Sequence, residues 1–278
     1  MIERESSWQS DDGIPFFTLT WEPETAPRAA IVLVHGLGEH CSRYRHLAEF
    51  LTQAGYAILT FDHRGHGKSG GPRGHAPSYD RMAADIDHFV QEARRHYPGL
   101  PVFVYGHSLG GALTLYYLFT CKPALQGAVV TSPGLATGQP VSGGKLFLAR
   151  TLSRLLPTVT MPNGLDRENL SHDRAVIEAY NHDPLNHGVI STRLGNELIS
   201  KGAWMQTQTS LHLPLLLMQG SADHLVSPAA TRVLAKNLQE QVTYVEWPGL
   251  YHELHNEPQK QEIFDTVLTW LNAHLPKA

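Results

Sequence analysis

Ala29–Val34 reads Ala-Ala-Ile-Val-Leu-Val, six apolar residues in a row that stop at His35-Gly36. A strand with one wet face alternates polar and apolar residues, so an unbroken apolar run of this length needs cover on both faces. Comparable runs recur at Tyr56–Phe61, Pro101–Tyr105 and Gly127–Thr131. Helical periodicity fills the gaps between them: Arg43 to Gly55, where the glycine is a natural stop, Tyr79 to Tyr97, ended by Pro98-Gly99, and Leu109 to Thr120. Short buried strands interleaved with helices build a mostly parallel sheet flanked by helices, an α/β class of fold.

The alternation breaks at Gly134 and resumes after about Leu211, with strands at Leu213–Met218 and Val242–Trp247 and helices at Pro228–Leu238 and Gln259–Leu271. The expected organisation is a core of residues 1–133 and 212–278 carrying an inserted, mainly helical cap of residues 134–211. Ligands of such sheets bind beyond the C-terminal ends of the strands, where this cap would sit.

At 278 residues the chain is long enough for one large domain, and 42% hydrophobic against 17% charged residues is an ordinary globular balance. A formal net charge of −4 argues against a nucleic-acid partner. Cys41 and Cys121 lack the C-x-x-C spacing and fit free thiols in a reducing cytosol, with a single disulfide as the alternative. Met1 to Asp12 is polar and charged, unlike a secretory leader, and no apolar run approaches the length of a membrane span. These features point to a cytoplasmic protein.

Gly106-His107-Ser108-Leu109-Gly110 matches G-x-S-x-G. Alone the pattern is weak, arising by chance in about one chain in ten of this length. Here it follows a strand and opens a helix, as a nucleophile elbow requires, and Gly106, Gly110 and Gly111 supply the small neighbours of that strained turn. The serine's partners should follow in the order acid, then histidine. Asp223, just past Leu213–Met218, and His252, just past Val242–Trp247, fit that order. Asp166, Asp173 and Asp183 lie in the cap, away from a strand end, while His255 and His274 are alternative bases. The oxyanion donors would be the amides of Leu109 and of Leu37, the latter in the loop His35-Gly36-Leu37-Gly38-Glu39-His40.

Together with Asp62-His63-Arg64-Gly65-His66-Gly67-Lys68-Ser69, Gln219-Gly220-Ser221-Ala222-Asp223 and Tyr251-His252, these motifs resemble the monoacylglycerol lipases and the wider lysophospholipase-like serine hydrolases of the α/β-hydrolase fold. The likeness runs from about Ala29 to Leu271. One departure is Leu109, where vertebrate members carry methionine; only the backbone amide is used there. The resemblance implies that Glu39, Arg43 and His255 organise a polar end of the pocket near the glycerol, and that Tyr180 and Asn181, with Asp183, face the site from the cap. Glu39 and Arg43 equally fit an i, i+4 ion pair at a helix start. Asp62 to Ser69 reads as a structural turn bracing the active-site loops.

Lys145 to Leu156 puts Leu148, Leu152 and Leu155 on one helical face among Lys145, Arg150 and Arg154. Such a helix either docks on a membrane surface or packs on the core. The expected activity is cleavage of monoacylglycerol, or a related small ester, through an acyl-serine, with no metal or organic cofactor needed. A lysophospholipase, an aryl esterase or broad carboxylesterase, an amidase and a non-catalytic binding protein on the same fold are the alternatives.

Overall fold

The computed structural model describes residues 1–139 and 143–276, without the side chains of Lys145, Leu146, Leu148 and Ala149. An N-terminal hairpin of β1 (Ile2–Gln9) and β2 (Pro15–Glu22) leads into β3 (Ala29–Val34), α1 (Arg45–Gln53) and β4 (Tyr56–Phe61). Then come α2 (Tyr79–His96), β5 (Val102–His107), α3 (Leu109–Cys121) and β6 (Gly127–Thr131). The segment between β6 and the next core strand carries α4 (Gly143–Leu155), β7 (Thr160–Pro162), α5 (Arg174–His182), β8 (Val189–Ser191) and α6 (Thr192–Met205). The chain closes with β9 (Leu215–Gly220), α7 (Pro228–Leu238), β10 (Val242–Trp247) and α8 (Lys260–Ala273).

The main sheet has the order β1-β2-β4-β3-β5-β6-β9-β10. All neighbours from β4 to β10 pair parallel, and β2 joins β4 antiparallel. The alternation implied this mostly parallel sheet, and its arrangement is the α/β-hydrolase fold that the resemblance implied. The unbroken apolar runs have a direct cause. Val32 and Val34 of β3 face a core built with Ile86 of α2 and Leu113 of α3, while Ile31 and Leu33 face a second core with Leu47 of α1 and Val267 of α8. Burial on both faces removes the polar alternation that a half-exposed strand would show.

The N-terminal hairpin has no counterpart in the sequence reading, because β1 is an edge strand whose Glu3, Arg4, Glu5, Ser6 and Ser7 all point into solvent. Strand β9 begins at Leu215 rather than Leu213, since Pro214 has no amide to give the ladder. The insertion also contains the small antiparallel pair β7 and β8. Its last helix, α6, packs on α2 and α3 and buries Leu194 and Met205 in the first core. Both cysteines are free, Cys41 buried and Cys121 exposed.

Candidate active site

Ser108 sits between β5 and α3 with φ 55° and ψ −117°, a conformation costly for a side chain other than glycine. Packing holds it there: its amide donates to Thr131 O at 3.0 Å, and its carbonyl accepts from Ala112 N at 2.9 Å and Gly134 N at 3.0 Å. The flanking glycines are steric necessities. A Cβ on Gly110 would collide with the carbonyl oxygens of Val34 and His35, and one on Gly106 with Thr114 and the Gly110 carbonyl. The elbow is therefore pressed against the end of β3, which brings the His35–His40 loop beside the serine.

His252 and Asp223 arrive from the loops after β10 and β9. His252 Nε2 lies 2.9 Å from Ser108 Oγ, and His252 Nδ1 lies 2.7 Å from Asp223 Oδ2. Asp223 is fixed in turn by Gln219 Nε2 at 2.9 Å and by the amides of Leu225 and Val226 at 2.8 and 3.0 Å. Ser132, another residue with positive φ, donates its hydroxyl to the His252 carbonyl at 2.7 Å. Burial works against a charged His252, but the adjacent Asp223 carboxylate outweighs it and raises the imidazole above its ordinary value. Burial likewise opposes a charged Asp223, yet His252 and the two amides hold it below the usual carboxylate range. Asp166 instead caps the short turn Arg167–Asn169, Asp173 caps α5, Asp183 pairs with His40, and His274 stacks on Trp270.

Leu37 and Leu109 stand on either side of the serine. Neither amide has a hydrogen-bond partner among the described residues, and Leu109 N is the first amide of α3, where the helix dipole favours negative charge. The loop bearing Leu37 is braced from behind: Glu39 Oε1 accepts from Gly36 N at 2.6 Å, His63 N donates to His35 Nε2 at 2.9 Å, and His63 Nε2 donates to His35 O at 2.9 Å. Asp62 secures the same turn through the amides of Cys41 and Lys68, at 2.8 and 2.7 Å.

Two cavities meet at Ser108. One, about 390 Å³, has a polar end with Glu39, His107, Arg167, Tyr180 and Glu253. The other, about 580 Å³, is walled by Leu109, Ile190, Leu198, Leu225 and Val226. Leu37, Asn163 and Leu165 border both. No cluster of three or more His, Cys, Asp or Glu side chains among the described residues is placed to hold a metal ion.

The sequence family described as "Serine aminopeptidase, S33" matches residues 25–259. A monoacylglycerol lipase of Mycolicibacterium smegmatis is 34% identical over 274 residues, covering 98% of each chain. The crystal structure of Paleococcus ferrophilus monoacylglycerol lipase superposes with a TM-score of 0.86 at 34% identity, covering 93% of this chain and 99% of that one. The chain belongs to the monoacylglycerol lipase family. It is a serine ester hydrolase. Phospholipase YtpA of Bacillus subtilis is also similar, 30% identical over 260 residues, covering 92% of this chain and 99% of that relative.

Within this family member, the residues assigned to the polar end take different places. Glu39 and Arg43 form the i, i+4 pair, but Arg43 is also held by Glu253, Nη1 to Oε1 and Nη2 to Oε2, both at 2.7 Å. Tyr180 reaches the cavity wall, donates its hydroxyl to Gly38 O at 2.9 Å, and has the guanidinium of Arg43 4.8 Å from its ring centre and that of Arg167 5.4 Å away. Asn181 is a correction: it is exposed, and its Oδ1 accepts from Arg167 Nη1 at 2.8 Å instead of facing the cavity. His255 is another. It is fully buried, stacked on Tyr44 at 4.6 Å, and burial pushes its imidazole far below the ordinary range, so it backs the site without lining it.

Glu253, Ser132 and Arg167 are the site residues that sequence reasoning missed, and Gln219, though part of the motif ending at Asp223, was not given its role of holding that carboxylate. Glu253 directly follows His252, and an acidic residue beside a base was a signal available in the sequence. Its partner Arg43 is 210 positions away, a separation no local pattern bridges.

Proposed function

We propose that this protein hydrolyses monoacylglycerols to glycerol and a fatty acid through an acyl-serine. The observation that carries this reading is the position of Ser108 where a polar and an apolar cavity meet. An ester with a small polar head and a long apolar tail would span the two, with its carbonyl at the hydroxyl.

In the proposed mechanism Ser108 Oγ attacks the ester carbonyl while His252 Nε2 takes its proton, and Asp223 orients and stabilises the resulting imidazolium. The Leu37 and Leu109 amides receive the oxyanion. Collapse expels the glycerol oxygen, which takes the proton from His252 and leaves the acyl group on Ser108. Water, deprotonated by His252, attacks the acyl-serine and releases the fatty acid. Glu39, Arg43 and Tyr180 shape the head-group end, while Asn181 and His255 act through Arg167 and Tyr44.

Residues 134–211 form the cap in this reading. Phe147 and Leu155 of α4 are 74% and 71% exposed, with Leu156, Val159 and Met161 exposed nearby and Arg150 and Arg154 in solvent. Leu152 is only half-exposed, so the apolar face is centred differently from the stripe in the sequence; the side chains of Lys145 and Leu148 lie outside the described residues. A basic, apolar surface of this kind suits peripheral contact with a lipid surface. No helix among the described residues is long and apolar enough to cross a membrane.

Similarity to the Bacillus phospholipase supports lysophospholipid as a second reading. A panel of oleoyl-matched monoacylglycerol, lysophosphatidylcholine and a p-nitrophenyl ester separates them. Highest kcat/KM on monoacylglycerol is expected; highest kcat/KM on lysophosphatidylcholine would replace the first reading with the second.

A further inference from the structure

The head-group end of the cavity contains a buried cluster of two carboxylates and one guanidinium. Arg43 gives Nη1 to both Glu39 and Glu253, and Nη2 to the second oxygen of Glu253. Glu253 also accepts from Asn256 Nδ2 at 2.7 Å, and Glu39 from Tyr44 OH at 2.7 Å and Gly36 N at 2.6 Å. Every one of these contacts brings a donor to a carboxylate oxygen. Burial opposes a charged Glu253, but Arg43 wins and holds its carboxyl down at about 2.

Two carboxylates against one guanidinium leave the cluster one net negative charge, and both Nη atoms of Arg43 are already engaged by carboxylate oxygens. The other groups around it do not offset that charge at depth. His107 is pushed down to about 3, first by burial and then by His252, and is neutral at physiological pH. His255 is neutral for the same first reason, and Tyr44 and Tyr180 remain phenols. Arg167 is a cation at the cavity edge, but it is half-exposed and engaged by Asn181, where solvent screens it.

We propose that Glu253 is a positioning residue that sets head-group specificity: by occupying both arms of Arg43 and leaving a net negative charge at the polar end, it excludes esters whose head group is anionic. This rests on the proposed hydrolysis of monoacylglycerols and specifies which head groups that site rejects. Like charges brought together in a site with little water disfavour the wrong partner, and a guanidinium already bound bidentately cannot turn to a phosphate.

The test compares kcat/KM for 1-oleoylglycerol and for its 3-phosphate, in the wild type and in Glu253→Gln. The wild type should prefer the neutral ester by at least about a hundredfold, and Glu253→Gln should narrow that preference by at least about tenfold. A purely structural role would lower both substrates together and leave the ratio alone. A folded Glu253→Gln variant, judged by its melting temperature, that keeps the wild-type ratio would overturn the proposal. Should the variant not fold, the wild type alone decides through product inhibition: glycerol 3-phosphate should inhibit much more weakly than glycerol, and equal inhibition would overturn the idea. Equal turnover of both esters sinks this inference while sparing the hydrolase reading; turnover of neither by the wild type sinks that reading itself.

Discussion

His252 Nε2 stands 2.9 Å from Ser108 Oγ, on the line that continues through Nδ1 to Asp223. A hydroxyl is a poor nucleophile at neutral pH unless a base takes its proton as it attacks. Replacing Ser108 by alanine, or His252 by alanine, should each lower turnover by roughly 10³-fold or more. Steady-state hydrolysis of a soluble ester checks this, and near-wild-type turnover in Ser108→Ala would remove the serine from the mechanism.

The Asp223 contact gives the reaction a signed pH dependence. Only neutral His252 can accept the Ser108 proton, and its folded-state value lies above the ordinary 6.5. Activity should therefore be lost as pH falls, with the acid limb of kcat/KM centred above 6.5. In Asp223→Asn the largest remaining influence is burial, which disfavours the charged ring, so the limb should move to lower pH while turnover drops by about 10⁴-fold. A pH–rate profile of both proteins measures the two effects.

Gly110 has no room for a methyl group, because the backbone of Val34 and His35 occupies the space. Gly110→Ala should cost about 1–3 kcal/mol through overpacking and displace the elbow from the His35–His40 loop. Thermal unfolding should show the loss as a lower melting temperature, and an unchanged melting temperature would contradict the close packing.

Tyr180 ties the insertion to the His35–His40 loop through its hydrogen bond to Gly38 O. Tyr180→Phe keeps the ring between the two arginines and deletes that bond, worth about 0.5–1.5 kcal/mol. A several-fold fall in kcat/KM, with fold retained by circular dichroism, is the expected outcome.

Phe147 and Leu155 are apolar, exposed and flanked by basic residues. The double variant Phe147→Asp, Leu155→Asp should lose activity on monoacylglycerol in anionic vesicles while keeping activity on a short soluble ester. Equal losses on both substrates would assign this face to folding.

The parts of the fold that could be read from sequence are those whose environment is simple. β3 to β6 are buried on both faces, so their residues announce themselves as apolar runs. β1 escapes notice because solvent surrounds it and its partner strand, not its own composition, makes it a strand. Ser108, Asp223 and His252 were legible because each ends a core strand in the required order. The Arg43–Glu253 pairing, the outward turn of Asn181 and the burial of His255 depend on how distant loops pack, and spacing along the chain does not encode that. On α4, periodicity gave the relative angle of Leu152 and Leu155 but not which of them faces solvent.

The central claim is that Ser108 carries the acyl group of a monoacylglycerol. Acid-quenching the wild type during turnover of 1-oleoylglycerol and mapping the modified peptide by mass spectrometry tests it most directly. An oleoyl adduct on Ser108, absent from Ser108→Ala, is the predicted result. Glycerol release at the wild-type rate with no adduct on Ser108, or with an adduct on another residue, would contradict it.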